Sequence, residues 1–136
     1  MVNTPRGIRN NNPLNIRVGN KWVGEVKDHT DPAFEQFTSM VYGLRAAFII
    51  LRRYILEYKL NTISKIVSRW APSSENNTLA YIRRVSASMK YDADAPISYQ
   101  DKQKMFAMVK AMVQVECGRA VDDIDIEAGY ILAAYL

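Results

Sequence analysis

The chain has one cysteine, Cys117, and one histidine, His29. A single cysteine excludes an intramolecular disulfide framework. The two residues also lack the Cys–His spacing of a structural zinc site, so no metal and no cofactor is expected. None of the six glycines builds a Walker-type or dinucleotide phosphate loop. No apolar run approaches the length of a membrane span. The first stretch, MVNTPRGIRNNNP, lacks the apolar segment of a secretory signal. Synthesis in a cytoplasm is therefore expected, with carriage or release by another route if the protein works outside it. A block of basic residues is missing too. The net charge of +4 and pI near 9.2 favour an anionic partner, whether nucleic acid, membrane surface or wall polymer. Yet the cations are dispersed, from Arg45, Arg52 and Arg53 through Lys59, Lys65 and Arg69 to Arg83 and Arg84. No nucleic-acid arm is formed, and nucleic acid is not an expected partner.

What is present is an ordinary globular composition, 49% hydrophobic and 24% charged over 136 residues. That is enough for one domain, residues 1–136, with a proper core. There is no internal repeat and no low-complexity segment. Asn10-Asn11-Asn12-Pro13 is turn chemistry, because Asn side chains bond nearby backbone and Pro restrains its neighbour. Asn15–Val18 alternates, Gly19-Asn20 is a two-residue turn signal, and Lys21–Val26 reads as the return strand. A small hairpin over 14–26 is expected, with Phe34–Phe37 as a third short strand. Beyond it the periodicity predicts helices over about 40–58, 62–70, 77–89 and 126–135. Thr38-Ser39, Asn61 or Thr62, and Asn76-Asn77-Thr78 are the caps of the first three. The first of these is apolar around most of its circumference and should be central.

A further helix, capped by Ser98, carries the feature of most chemical interest. Met105, Met108, Val109, Met112 and Val113 recur at helical spacing and form a core-facing stripe. Glu116 extends that stripe on the last turn, just before Gly118, which can end the helix. A carboxyl on an apolar face loses hydration, so its pKa rises, and a raised carboxyl pKa suits a general acid near neutral pH. The plainer alternative is an edge-of-stripe carboxylate paired with an arginine. A Cys117–His29 nucleophile–base pair is also conceivable, although a lone cysteine beside an apolar helix face is usually packed there.

Arg6–Arg17, Trp22-Val23-Gly24, Phe34–Phe37, Gly43–Ala46, Trp70-Ala71-Pro72, Glu75–Thr78 and Tyr81-Ile82 together resemble a family of small phage and prophage proteins. These are described as virion structural proteins related to lysozyme-like wall hydrolases. The resemblance covers about residues 6–130, and its most specific parts are Asn-Asn-Asn-Pro and Trp-Ala-Pro. A second likeness concerns order. In lysozyme-like glycosidases, lytic transglycosylases and bacterial glucosaminidases among them, a helix ending in a catalytic Glu precedes a small β or turn region and the remaining helices. Val113–Gly118 is similar to that helix end, and Asn15–Phe37 is similar to the segment following it. Here the Glu helix comes after that segment, which implies circular permutation. Termini lying close together make such rewiring physically easy.

The resemblance implies a mainly α (α+β), lysozyme-like helical domain with a small N-terminal β-hairpin, circularly permuted. It implies a peptidoglycan-cleaving glycosidase, muramidase or lytic transglycosylase, of phage or prophage origin. Such an enzyme would act at the wall after release or from the virion, with virion proteins as possible partners. Glu116 would be the general acid. A second carboxylate would come from the hairpin region, among Glu25, Asp28, Asp31 and Glu35, and Glu25 is the choice. Each of the four also reads as a surface charge or turn former. Lytic transglycosylases manage with one Glu, the sugar's own hydroxyl replacing water. Asn12, Asn15, Asn76, Asn77 and Tyr81 would contact N-acetyl sugars, although caps, turns and core packing explain the same residues. Trp22 and Trp70 read as packing. The competing function is a non-catalytic virion structural or cell-wall-binding protein that retains the fold.

Overall fold

In the computed structural model, which describes residues 4–74 and 76–135, six helices are joined by loops. Glu75, part of the Glu-Asn-Asn-Thr motif, lies outside the described residues. The helices are α1 (Arg6–Arg9), α2 (Met40–Leu56), α3 (Ile63–Trp70), α4 (Thr78–Met89), α5 (Lys102–Cys117) and α6 (Asp123–Ala133). The five longer ones close a ring: α2 packs on α3, α3 on α4, α4 on α5, α5 on α6, and α6 returns to α2. The single turn α1 docks on α5.

Local chemistry explains most of these boundaries. Thr62 Oγ1 accepts the Lys65 N–H at 3.1 Å and Asn77 Oδ1 accepts the Ala80 N–H at 3.2 Å, each satisfying a first-turn donor of α3 and α4. The cap expected at Ser98 stands instead at Asp101, whose Oδ1 accepts the Lys104 N–H at 3.1 Å. Ser98 is diverted, because its hydroxyl donates to Gln100 Oε1 at 2.9 Å. Ile97 and Tyr99 on either side are buried, so the chain crosses the core before the helix begins. α5 ends at Gly118, whose φ of +69 is the left-handed conformation that glycine adopts without cost.

The apolar periodicity is realised in packing. Leu44, Phe48 and Leu51 of α2 meet Met105, Met108, Val109 and Met112 of α5 and Ile126 of α6 in one core, all of them 0% exposed. Two arginines of α2 hold the carboxyl end of α6: Arg52 Nη1 donates to the Ala133 carbonyl at 2.8 Å and Arg45 Nη2 to that of Tyr135 at 3.4 Å. Cations there also oppose the helix dipole.

The hairpin expected over 14–26 does not form. Among the described residues the extended pairings are two isolated antiparallel bridges, Arg17 with Phe34 and Glu25 with Phe37. Residues 33–38 act as a shared hub. On one side the Glu35 N–H donates to the Ile16 carbonyl at 2.9 Å, and the Val18 N–H to that of Ala33 at 3.0 Å. On the other, the Val26 N–H donates to the Gln36 carbonyl at 2.9 Å, and the Thr38 N–H to that of Gly24 at 2.8 Å. The two arms therefore bond to this third segment instead of to each other. Asn15 also takes a left-handed φ of 54, which ends any strand there.

The Asn10–Asn12 run fastens this lobe. Asn12 is fully buried; its amide donates to the carbonyls of Ile16 and Glu35 at 2.9 and 3.0 Å and its Oδ1 accepts the Ile16 N–H at 2.9 Å. Asn11 donates to the Phe37 carbonyl at 3.1 Å, and Asn10 to Asp31 Oδ2 at 2.9 Å. Arg6 grips the same Asp31 with two bonds of 2.7 and 2.6 Å, which holds that carboxyl far below the usual carboxylate range.

Candidate functional site

Glu116 lies on the last turn of α5, half-buried, where the stripe of methionines and valines meets the N-terminal lobe. Its two oxygens have separate neutral donors. Asn15 Nδ2 donates to Oε1 at 2.9 Å, and the Tyr81 hydroxyl donates to Oε2 at 3.0 Å. These partners come from 101 residues upstream and from α4, 35 residues upstream. Asn15 reaches Glu116 because its left-handed backbone turns the amide inward and because α1 lies tight against the end of α5. A Cβ on Gly7 would come within 2.8 Å of Asn15 Oδ1 and of Cys117 Sγ, so only glycine permits that approach. Tyr81 is 5% exposed, and burial together with Glu116 pushes its pKa far up, so it remains a fixed O–H donor.

Burial raises the pKa of Glu116, and the bonds from Asn15 and Tyr81 partly oppose that by favouring the ionised form. The result is a carboxyl that holds its proton above the ordinary range yet has two donors waiting for the carboxylate. It faces a cleft of about 240 Å³ lined also by Leu14, Asn15, Arg17, Phe34, Trp70, Ala71 and Asn76. A second cleft of about 160 Å³ shares Asn15, Arg17 and Trp70 and continues past Ile16 to Ile50 and Tyr54. Aromatic rings border this path: Trp70 lies edge-on to Tyr54 at 6.0 Å, and Arg17 stacks over Phe34 at 5.1 Å. The Trp70 indole N–H donates to the Leu14 carbonyl at 3.2 Å, fixing the ring against the N-terminal lobe.

Of the residues singled out in the sequence, the fold brings Asn15, Tyr81 and Asn76 to Glu116 or its cleft. Asn77 is the cap of α4, and Asn12 is fully committed to backbone bonds inside the lobe. Tyr130 packs on Phe48 and Tyr99 and donates to the Tyr99 carbonyl at 2.8 Å. Cys117 and His29 form no dyad: the buried thiol points at the Pro13 carbonyl 3.2 Å away, and burial pushes it up to about 11. Trp70 was assigned to packing, yet it lines both clefts. Its position at the last residue of α3, where the apolar face runs out, was the available signal.

Glu25 does not line the cleft of Glu116. It belongs to a second group with His29 and Glu35, in which one potential ligand atom from each residue lies within 4.8 Å of the other two. Burial and the neighbouring Glu25 push Glu35 up to about 7. Among the described residues lining the cleft, Glu116 is the one carboxyl.

No protein-family model matches the chain. The chain is similar to "Protein P5" of Pseudoalteromonas phage PM2, at 39% identity over 117 residues, 83% of this chain and 71% of that protein. No helix is long and apolar enough to cross a membrane among the described residues.

Proposed function

The chain belongs to the family of "Protein P5" of Pseudoalteromonas phage PM2, which supports a phage or prophage origin, and from the site described above we propose that it is a glycosidase that cleaves the glycan of bacterial peptidoglycan. In this reading the domain is lysozyme-like and circularly permuted, and Glu116 is its general acid. The single observation carrying the proposal is the Glu116 carboxyl itself: dehydrated, held by two neutral donors, and facing a polar cleft with aromatic edges.

The reaction begins with the protonated carboxyl donating to the glycosidic oxygen, so that the C–O bond breaks as charge develops on the sugar ring. Dehydration holds that proton to higher pH than an exposed carboxyl would, as in animal lysozyme. The resulting carboxylate is received by Asn15 and Tyr81, whose bonds strengthen as charge appears. It then takes the proton from the attacking hydroxyl, either water or a hydroxyl of the sugar itself, and the acid is restored. Asn76 and Asn15 offer amides to an acetamido group, and Trp70 offers a ring edge to a sugar face. The excess positive charge suits an anionic wall.

Loss of turbidity of purified cell walls tests this, with Glu116→Gln as the control. The wild type clears the walls and the variant does not. Equal clearing by both proteins removes Glu116 from the mechanism. Binding to walls by both without clearing replaces the enzyme with a wall-binding structural protein.

A further inference from the structure

Glu25, His29 and Glu35 lie away from the residues that line the Glu116 cleft, and the reaction above does not use them. Their segments are tied to one another by backbone and side-chain bonds. Glu25 sits in the bridge to Phe37, and Glu35 donates its N–H to Ile16 while its carbonyl accepts from Asn12. His29 is returned toward Glu25 by a loop whose Thr30 and Asp31 N–H groups both bond Gln36 Oε1, at 2.7 and 3.0 Å. His29 Nε2 then stands 3.9 Å from Glu25 Oε2.

The other carboxylate oxygens carry the argument. Glu35 is 2% exposed, and its Oε2 is buried with no hydrogen-bond partner; Glu25 Oε1 is likewise buried and unpartnered. Two such acceptors, each shielded from water, are costly unless a proton or a metal cation lies between them. The ligand atoms already fall within 4.8 Å of one another. A cation with bonds of about 2.0–2.2 Å holds its ligands roughly 3–4.4 Å apart, a closure that small side-chain rotations supply.

We propose that Glu25, His29 and Glu35 bind a divalent cation of the zinc or manganese class. One imidazole nitrogen with two carboxylates suits these borderline ions better than the all-oxygen sites of calcium or magnesium. His29 lies at the surface, so solvent completes the coordination there. The ion clips the loop carrying His29 to the segment carrying Glu35. That segment is the one whose Phe34 walls the cleft and pairs with Arg17. The site is independent of what the cleft does.

Calorimetric titration and thermal unfolding of the chelator-stripped full chain at neutral pH test the site, using zinc, manganese, calcium and magnesium chlorides. Zinc or manganese binds one per chain and raises the unfolding temperature by several degrees. His29→Ala removes a surface ligand and weakens binding at least tenfold. Glu35→Gln also weakens it, and Cys117→Ser does not. Undiminished binding in His29→Ala overturns the assignment, as does tighter binding of calcium than of zinc or manganese. Absence of binding by all four ions overturns it as well and leaves a carboxyl pair bridged by a proton.

Discussion

Two carboxyls in this protein hold their protons above the ordinary range, and the surroundings that make them do so differ. Glu116 is dehydrated, but each of its oxygens has a neutral donor, Asn15 or Tyr81, and the group faces a cleft. Glu35 is dehydrated beside another carboxyl, with an oxygen on each of Glu25 and Glu35 left without a donor. The first arrangement welcomes a carboxylate when it forms, as a group that gives and regains a proton must. The second resists a second negative charge until a cation arrives. A raised pKa alone therefore does not identify a catalytic acid; the donors around the group and the space before it do. Asn12 joins the two regions, since its amide ties the carbonyl of Ile16, beside Asn15, to that of Glu35.

The difference can be broken at several points. Glu116→Gln should lower wall cleavage about 10²–10⁴-fold, the usual worth of a general acid. Thermal unfolding of that variant should remain close to wild type, because the neutral amide has the same shape, its oxygen still accepts from Asn15, and the Tyr81 hydroxyl can turn to accept from its nitrogen. Asn12→Ala should have the largest effect on folding. It leaves the Ile16 N–H and the Glu35 carbonyl buried without partners and removes one of two bonds to the Ile16 carbonyl, and denaturant titration should show a loss of about 2–4 kcal/mol.

Glu35 gives a pH signature. Its folded pKa of about 7 lies above the ordinary carboxyl value, so the folded state holds a proton that the unfolded state has released. Its contribution is complete below the unfolded pKa, about 4.5, and is lost as pH rises to about 7. Unfolding in chelator should therefore show stability falling by about 1–3 kcal/mol across that window. Glu35→Gln should flatten the fall. The smallest effect is expected from Tyr81→Phe. Removing a donor to the ionised form raises the Glu116 pKa further, so the alkaline limb of the cleavage profile should move to higher pH while folding changes by about 1 kcal/mol.

The sequence made the ring of helices legible and the N-terminal lobe only in part. Helical periodicity and caps such as Thr62 and Asn77 act within a few residues, so α2 through α6 could be read locally. The lobe is assembled by pairings that cross one another: residues 33–38 intervene between the two arms of the expected hairpin. No two-residue period encodes that. Glu116 was visible because it extends an apolar stripe, and Asn15, Asn76 and Tyr81 because of the family resemblance. That Asn15 and Tyr81 converge on the two oxygens of one carboxyl was not visible, since they arrive from distant parts of the chain. Nor was the pairing of Glu25 with Glu35, which depends on the bridge to Phe37, two residues beyond buried Glu35.

The central claim is that the proton on Glu116 is the one delivered to the glycosidic oxygen. Carbon-13 titration of the Glu116 carboxyl, assigned by its loss in Glu116→Gln and run beside the pH dependence of wall cleavage, tests it most directly. The carboxyl should titrate above the ordinary Glu range, and cleavage should fall with the same midpoint as that proton leaves. A Glu116 carboxyl already ionised in the ordinary range, or a cleavage rate indifferent to its titration, would contradict the claim.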